Sequence, residues 1–441
     1  MKKIVISLFM FALTANMMAA DHVMAATKRA PEKEVPATLN LSVQEAQDYA
    51  VAENRSLRNA DLAVQKAYAT RWQTIASMLP SVDMSWAYQS MMGYKMNFGG
   101  MDIAMPDNGT FGITAAIGIN GQAIVGVLLN NVAIDMQKLN LEISEDNLRA
   151  NVKSSYASVL VLEDVVKLLD TSLKNIEDLA EMTQRSVEVG AAEQTQADLI
   201  MVRVNTLKNN INANKRSTQL AINALKVLLN VPVETELTLT TSLQDLLSAE
   251  TILTLLGKDF VLENNLNYQT LAKNVELAKR NVHMAGWAYG PTIGVGYQYS
   301  QKDYFGEKEG FNMTPPNALS IQISMPLWSS GKRAAGVVEK KIALEEARNT
   351  FAETTDNLGI QNEQLRYNLQ NAYETYTNEQ ENITVTQRVF DNTTLKFQQG
   401  VASNLELVNA SNDLITAQST YVQAVLTLVN AQVELEKFLN M

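Results

Sequence analysis

Six methionines, Met84, Met91, Met92, Met96, Met101 and Met105, crowd into one short stretch of the chain. Thioethers suit soft ions such as Cu(I) or Ag(I), but the better reading of this cluster is flexible apolar filling. No Cys is present, which excludes disulfides, thiolate metal sites, thiol catalysis and a lipidated N-terminal Cys. His283 is the only His outside the first residues; it stands in a helical stretch beside Lys279 and Arg280 and reads as surface or packing. Gly294-Val-Gly296 lies in a strand with no helix after it, so it is not a phosphate loop. No paired carboxylates, no nucleophile with a base and no cluster of metal ligands emerge. The expectation is a protein that is not an enzyme, with no catalytic residue, no metal and no cofactor.

The elements that would position any working residue follow from charge and patterning. A net charge of −11 over 441 residues argues against nucleic acid as a partner, because phosphate binding needs clustered Lys and Arg. Lys2 and Lys3, the apolar run Ile4 to Ala15 and the small pairs Ala19-Ala20 and Ala25-Ala26 read as a secretory signal. Cleavage after Ala20 or after Ala25 fits, so 1–25 is taken as the signal peptide and 26–40 as a flexible leader. The apolar run falls short of the roughly 20 residues of a spanning helix, and no later stretch supplies them. The mature chain is therefore expected either to stay soluble beyond the inner membrane or to enter a membrane as β-structure.

Four stretches alternate apolar with polar or small residues, at about 81–91, 111–120, 291–300 and 318–327. In the first, Val82, Met84, Trp86 and Tyr88 share one face and Ser81, Asp83 and Ser85 the other. In the third, Ile293, Val295, Tyr297 and Tyr299 form the matching row. Pro80 and Pro291 open these two strands, and polar loops, Met92 to Gly109 and Gln301 to Asn317, follow them.

The remainder is helical in pattern, with only 9 Pro and 20 Gly. Ser42 and Glu45 form a capping box at the head of a helix expected to run to Leu79. A long helix from about Val127 to Val189 carries a coiled-coil seam at Val159, Leu162, Val166, Leu169, Leu173 and Ile176. Gly190 breaks it, and a return helix runs from Gln194 to Asn230. After a connecting region at 231–257 the programme restarts: a helix over Lys258 to Ala288, the second strand pair, a long helix from Ala334 to Phe397, a break at Gly400 and a last helix to Leu439. Leu344, Phe351, Leu358, Leu365 and Ala372 recur in it at heptad spacing. Aligning Gly190 with Gly400 pairs Ala192 with Ala402, Leu225 with Leu435, Leu229 with Leu439 and Asn230 with Asn440. The chain is an internal duplication of about 210 residues, with repeats at 41–230 and 258–441.

Strands of about ten residues have the length that crosses a bilayer when tilted. Four of them cannot close a barrel, and lipid does not tolerate open sheet edges. Three copies would supply twelve strands, within the range of outer-membrane barrels, and symmetry would close the ring. The fold class expected is mainly α with a small β part: a long antiparallel coiled-coil helical barrel, four transmembrane strands per chain, and a twelve-stranded barrel formed by a trimer. The alternative is a soluble periplasmic coiled-coil scaffold or adaptor whose strands form a small sheet without a channel.

Several features together make the chain resemble the outer-membrane efflux proteins, the TolC-type channel tunnels. They are the twofold repeat, Leu41-Ser-Val-Gln-Glu-Ala46, the Pro80 and Pro291 strand entries, Met325-Pro-Leu-Trp-Ser-Ser-Gly331 and the Gly190 and Gly400 turns. The resemblance covers about Leu41 to Asn440. It departs at Asn54-Arg55-Ser56, where family members often carry Asn-Pro at a helix boundary, and in the missing lipidated Cys. It implies a homotrimer in the outer membrane of a Gram-negative bacterium, its helical part in the periplasm. Such a trimer serves as the passive exit duct of a tripartite efflux or type I secretion system. The implied partners are a periplasmic membrane-fusion (adaptor) protein, an inner-membrane pump of the RND or ABC type, and outer-membrane lipid.

The resemblance also implies roles for particular residues. Val189, Gly190 and Ala191, with Gly400, Val401 and Ala402, would form tips that meet the adaptor. Glu406 and Asn409 would lie at the pore constriction, where many relatives carry two carboxylates and this chain keeps one. Gln196 and Asp198 near the first tip are further constriction candidates. Val82, Met84, Trp86, Tyr88, Ile293, Val295, Tyr297 and Tyr299 would face lipid.

Overall fold

Ser42 and Glu45 close their capping box: the Ser42 backbone N–H donates to the Glu45 carboxylate at 2.8 Å, and the Glu45 N–H to the Ser42 hydroxyl at 3.3 Å. They open the first helix of a computed structural model that describes residues 37–190, 192–305 and 315–440. The first repeat contains β1 (Thr38–Leu41), α1 (Val43–Glu53), α2 (Arg55–Ala76), β2 (Ser81–Gln89), β3 (Lys95–Phe98), β4 (Met101–Ala104), β5 (Asp107–Asn120), α3 (Gly121–Glu188) and α4 (Gln194–Leu229). A connector follows with β6 (Glu236–Leu239), α5 (Leu243–Leu246) and α6 (Ala249–Gly257). Then come α7 (Leu266–Gly286), β7 (Thr292–Phe305), β8 (Asn317–Ser324), α8 (Lys332–Gln398) and α9 (Asn404–Phe438). The chain is mainly helical with a small sheet part, as expected.

Several boundaries differ from the sequence expectation, each for a local reason. The end of the stretch read as leader, Thr38 to Asn40, belongs to β1, which pairs in parallel with β6, Leu39 against Leu237 and Leu41 against Leu239. The helix expected from Ser42 to Leu79 breaks at Asn54, whose ψ of 128° is extended. The helix expected from Lys258 starts only at Leu266, after a short 3-10 turn over Leu262–Asn264. The loop read from Met92 to Gly109 contains the hairpin β3–β4, turned by Gly99 and Gly100 at φ of 60° and 87°. Two consecutive positive φ angles match the twist of a two-residue hairpin and favour glycine. β5 and β7 outrun their expected ends because each templates the other, from Asp107 against Phe305 to Asn120 against Thr292. β8 stops at Ser324, ahead of Pro326, which cannot donate to a ladder.

The chain divides into two compact units. One takes in Asp61–Leu139 and Thr270–Ala352; the other takes in 37–60, Asn140–Gln269 and 353–440. The first holds a 4-stranded antiparallel sheet in the order β2-β5-β7-β8. The two repeats thus meet at the central β5–β7 ladder, and β2 and β8 are left as edges. At the strand-to-helix junction after β5, Gly121 is required by a close approach: a Cβ there would sit 2.0 Å from Cε3 of Trp287.

The second unit has an apolar core in two parts. One gathers Leu41, Ala46, Ala50, Val152, Tyr156, Leu225, Leu229, Ile252, Leu369, Val425 and Leu428 around β1, β6 and the connector helices. Tyr156 is fully buried there; its hydroxyl donates to the Leu41 carbonyl at 3.0 Å and accepts from the Thr241 N–H at 2.9 Å. The other part gathers Leu169, Ile176, Leu179, Ile200, Val204, Phe390, Leu407 and Leu414 from four helices. The seam residues Val159, Leu169 and Ile176 are buried, and so are Leu358 and Ala372 of the heptad series.

The duplication is visible in backbone detail. Asn230 and Asn440, paired by the repeat alignment, both take the left-handed conformation, at φ of 56° and 60°. Asn54 and Asn265 do equivalent work. The Asn54 Oδ1 accepts from the N–H groups of Ser56 and Leu57 at 2.8 and 3.2 Å, while its Nδ2 donates to the Leu228 carbonyl at 2.8 Å. The Asn265 Oδ1 accepts from Asn267 and Tyr268 at 3.0 and 3.3 Å, and its Nδ2 donates to the Phe438 carbonyl at 3.0 Å. Each Asn therefore caps the head of one helix and ties it to the tail of a return helix. The boundary at Asn54 stands without the proline that often marks it.

Candidate channel-forming surfaces

Cross-strand partners in an antiparallel sheet share a face, so the register decides whether the alternation of single strands adds up. It does. Val82, Met84 and Trp86 sit opposite Ala115, Ile113 and Phe111. Across the central ladder Ile113, Ala115, Ile117 and Ile119 sit opposite Tyr299, Tyr297, Val295 and Ile293. Tyr297, Val295 and Ile293 in turn oppose Leu319, Ile321 and Ile323. One face of the sheet is thus apolar across all four strands. The other presents Asp83, Ser85, Thr114, Gly112, Gln298, Ser320 and Gln322. Met84 is 73%, Trp86 68% and Ile321 68% exposed. Among the described residues no helix is long and apolar enough to cross a membrane.

The two hairpin turns are built alike. Gly190 and Gly400 take φ of 74° and 70°, the left-handed conformation that ends a helix most cheaply in glycine. The Gly190 N–H donates to the Val187 carbonyl and the Ala192 N–H to Ser186, at 2.9 and 3.2 Å. At the second turn Gly400 donates to Phe397 and Ala402 to Lys396, at 2.9 and 3.2 Å. Val189 and Val401 are exposed and Ala402 is half-buried; Ala191 lies outside the described residues.

Glu406 stands in the first turn of α9, and its carboxylate has a local partner. It accepts from the Ser403 backbone N–H at 2.7 Å and from the Ser403 hydroxyl at 3.0 Å, while the Glu406 N–H donates back to that hydroxyl at 3.2 Å. The backbone bond from Ser403, and then the hydroxyl, hold this carboxyl below the usual Glu range. Asn409 is exposed one turn further on. In the first hairpin Gln196 is half-buried, and exposed Asp198 accepts from the Gln194 side chain at 2.9 Å. The N-terminal halves of α4 and α9 share one apolar cluster, Ile200 and Val204 with Leu407 and Ala410. His283 is exposed on α7. The methionines fall on separate elements: Met84 in the apolar row of β2, Met92 in a turn at φ of 49°, and Met96 on β3 against Ile103.

Sequence reasoning missed a polar layer between the two apolar clusters. Gln418 is 3% exposed, donates to the Ser172 hydroxyl at 3.3 Å and leaves its Oε1 without a hydrogen-bond partner. Its position on a helix between Leu414 and Val425 carries no sequence signal beyond an interrupted apolar stripe. An unmet buried acceptor costs about 1–3 kcal/mol, so Gln418→Leu is expected to raise stability by about 1 kcal/mol, read as a higher denaturant midpoint. A fall in the midpoint would mean that the amide is satisfied in the protein.

The chain is similar to known outer-membrane proteins over most of its length. The model of the outer membrane efflux protein family matches residues 47–231 and 259–441, one match in each repeat. The outer membrane efflux protein BepC of Brucella suis is 24% identical over 309 residues, 67% of this chain. The chain spans 64% of that relative's length. A solved membrane protein from Pseudomonas aeruginosa superposes with a TM-score of 0.75 at 14% identity, covering 93% of this chain and 96% of its own. CusC, solved in a study of its folding and transmembrane channel formation, gives 0.73 at 16% identity, covering 94% and 95%. With both repeats matched, the chain belongs to the outer membrane efflux protein family and so to the outer membrane, and it shares its fold with those two solved structures over 93–94% of its length.

Proposed function

We propose that three copies of the chain assemble into a passive exit duct that takes cargo delivered by an inner-membrane pump across the outer membrane. The open edges of β2 and β8 on a sheet with one apolar face carry this reading. Lipid does not accept an unpaired edge, and joining β8 of one copy to β2 of the next gives a closed ring of twelve strands, a size known for such barrels. Val82, Met84, Trp86, Tyr88, Ile293, Val295, Tyr297 and Tyr299 then face lipid, while Asp83 and Ser85 face the water-filled lumen. No catalytic step is needed, because the driving force comes from the pump, of the RND or ABC type. A soluble, unassembled periplasmic coiled coil on fractionation would overturn the proposal.

The gate in this reading lies at the hairpin turns. A periplasmic adaptor docks on Val189, Gly190, Ala191, Gly400, Val401 and Ala402 and spreads the helices, opening a constriction lined by Glu406, with Asn409, Gln196 and Asp198 beside it. Three Glu406 carboxylates near the axis would favour cations. Because Glu406 also caps α9, its charge and its capping must be separated. Gln can keep the reciprocal capping bond while losing the charge. Glu406→Gln is expected to reduce cation selectivity in planar-bilayer recordings without altering the protease resistance of the turn. Unchanged selectivity would remove Glu406 from the constriction.

A further inference from the structure

The loop between β8 and α8 displays two of the most exposed large apolar side chains in the protein: Leu327 is 89% and Trp328 85% exposed. The loop is not slack. The Arg333 guanidinium donates to the Pro326 carbonyl at 2.6 Å and to the Trp328 carbonyl at 3.3 Å, and it lies 5.4 Å from the ring centroid of Tyr289. Behind it Ser330 and Gly331 hold φ of 49° and 79°, and the Lys332 N–H donates to the Ser329 carbonyl at 3.0 Å. Burying side chains of this size is strongly favourable, so a fixed loop that leaves both in the open calls for an apolar surrounding.

Two observations identify that surrounding. The first is continuity: Leu319, Ile321 and Ile323 on β8 are 71%, 68% and 68% exposed, and the alternate positions continue through Met325, at 59%, to Leu327. The row that would face lipid therefore does not end with the strand. The second is charge. α8 opens with Lys332 and Arg333 and has no acidic residue in its first turn, the reverse of what a helix N-terminus favours. Arg333 is engaged by the loop carbonyls, and Lys332 is exposed at the loop's foot. Apolar tips next to a cation that its own helix disfavours suit the boundary between acyl chains and anionic headgroups.

We propose that Met325, Leu327 and Trp328 form an interfacial anchor in the periplasm-facing phospholipid leaflet of the outer membrane, with Lys332 against a lipid phosphate. The proposal rests on the reading of β8 as lipid-facing, and the test separates the two. With no native Cys, single nitroxide labels can be placed at Leu327→Cys and, as the control for β8, at Ile321→Cys. Both are reconstituted in vesicles of phosphatidylethanolamine and phosphatidylglycerol, and collisions with oxygen are compared with those with a water-soluble nickel chelate. Both labels are expected to favour oxygen. Adding Lys332→Glu is expected to shift the Leu327 label toward nickel by roughly twofold or more without moving the Ile321 label. A Leu327 label open to nickel, beside an oxygen-favouring Ile321, would overturn the anchor alone. A Leu327 label shielded from both reagents would mean that another protein surface covers the loop, which overturns it equally. Nickel access at Ile321 would bring down the lipid-facing reading of β8 and the anchor with it. An independent measurement uses native fluorescence with brominated phospholipid: Trp328→Phe should remove a quenched component, and unchanged quenching refutes the anchor.

Discussion

Met84→Arg is expected to stop the protein from assembling in the outer membrane, while Ser85→Arg, one residue along the same strand, leaves assembly intact. Met84 belongs to the apolar row that runs unbroken through Ile113 and Tyr299, and it is 73% exposed. An Arg on the lipid face near mid-bilayer costs about 2–4 kcal/mol, and the proposed assembly meets that cost in every copy. Ser85 belongs to the opposite face, across from Gly112, where in the proposed barrel a long cation can extend into the lumen. Its expected effect is on conduction: a lower conductance and a shift toward anions. The measurement is the yield of detergent-resistant oligomer from outer-membrane fractions, followed by single-channel recording. Equal assembly of both variants would sink the assignment of the two faces.

Asn265→Ala should be among the most destabilising single changes in the helical unit, at about 3 kcal/mol. Asn265 is 5% exposed and fills two roles: its Oδ1 caps the head of α7, and its Nδ2 meets the last turn of α9 at Phe438. Truncation leaves two N–H groups and a carbonyl without their partner, with little water at hand. Asn54 has the same bonds in the first repeat but is only half-buried. Asn54→Ala should therefore cost less, about 1 kcal/mol. Asn265→Ser keeps a capping oxygen and loses the donor to Phe438, so it should fall between. Denaturant midpoints of the three variants give the order, and a neutral Asn265→Ala would show that the amide does not tie the helices together.

These two cases differ in how far the sequence alone could reach. The strand faces were legible because alternation has a period of two and needs no partner to be read. The long helices were legible for the parallel reason: heptad spacing, few breakers and glycine at both turns declare them locally. The duplication followed from matching residue types at a constant offset, and Asn230 and Asn440 carry it into the backbone. Asn54 and Asn265 stand 211 residues apart, one more than that offset, and their work was hidden, because an Asn's value depends on which carbonyl waits across the fold. The β3–β4 hairpin was missed although Gly99-Gly100 announces it; the surrounding Asn and Asp residues made the stretch read as loop.

The order and period of the residues determined by themselves that this protein has two repeats, four amphipathic strands and two helical hairpins, since each is a local property of spacing. Only the tertiary structure decided what those parts meet. It paired β5 with β7, so that the repeats join in one sheet with two open edges. It engaged Glu406 with Ser403 and left Gln418 with an unmet acceptor. Hydrogen bonds to distant backbone and the choice of strand neighbours depend on positions in space, and side-chain spacing does not encode them until the chain has folded.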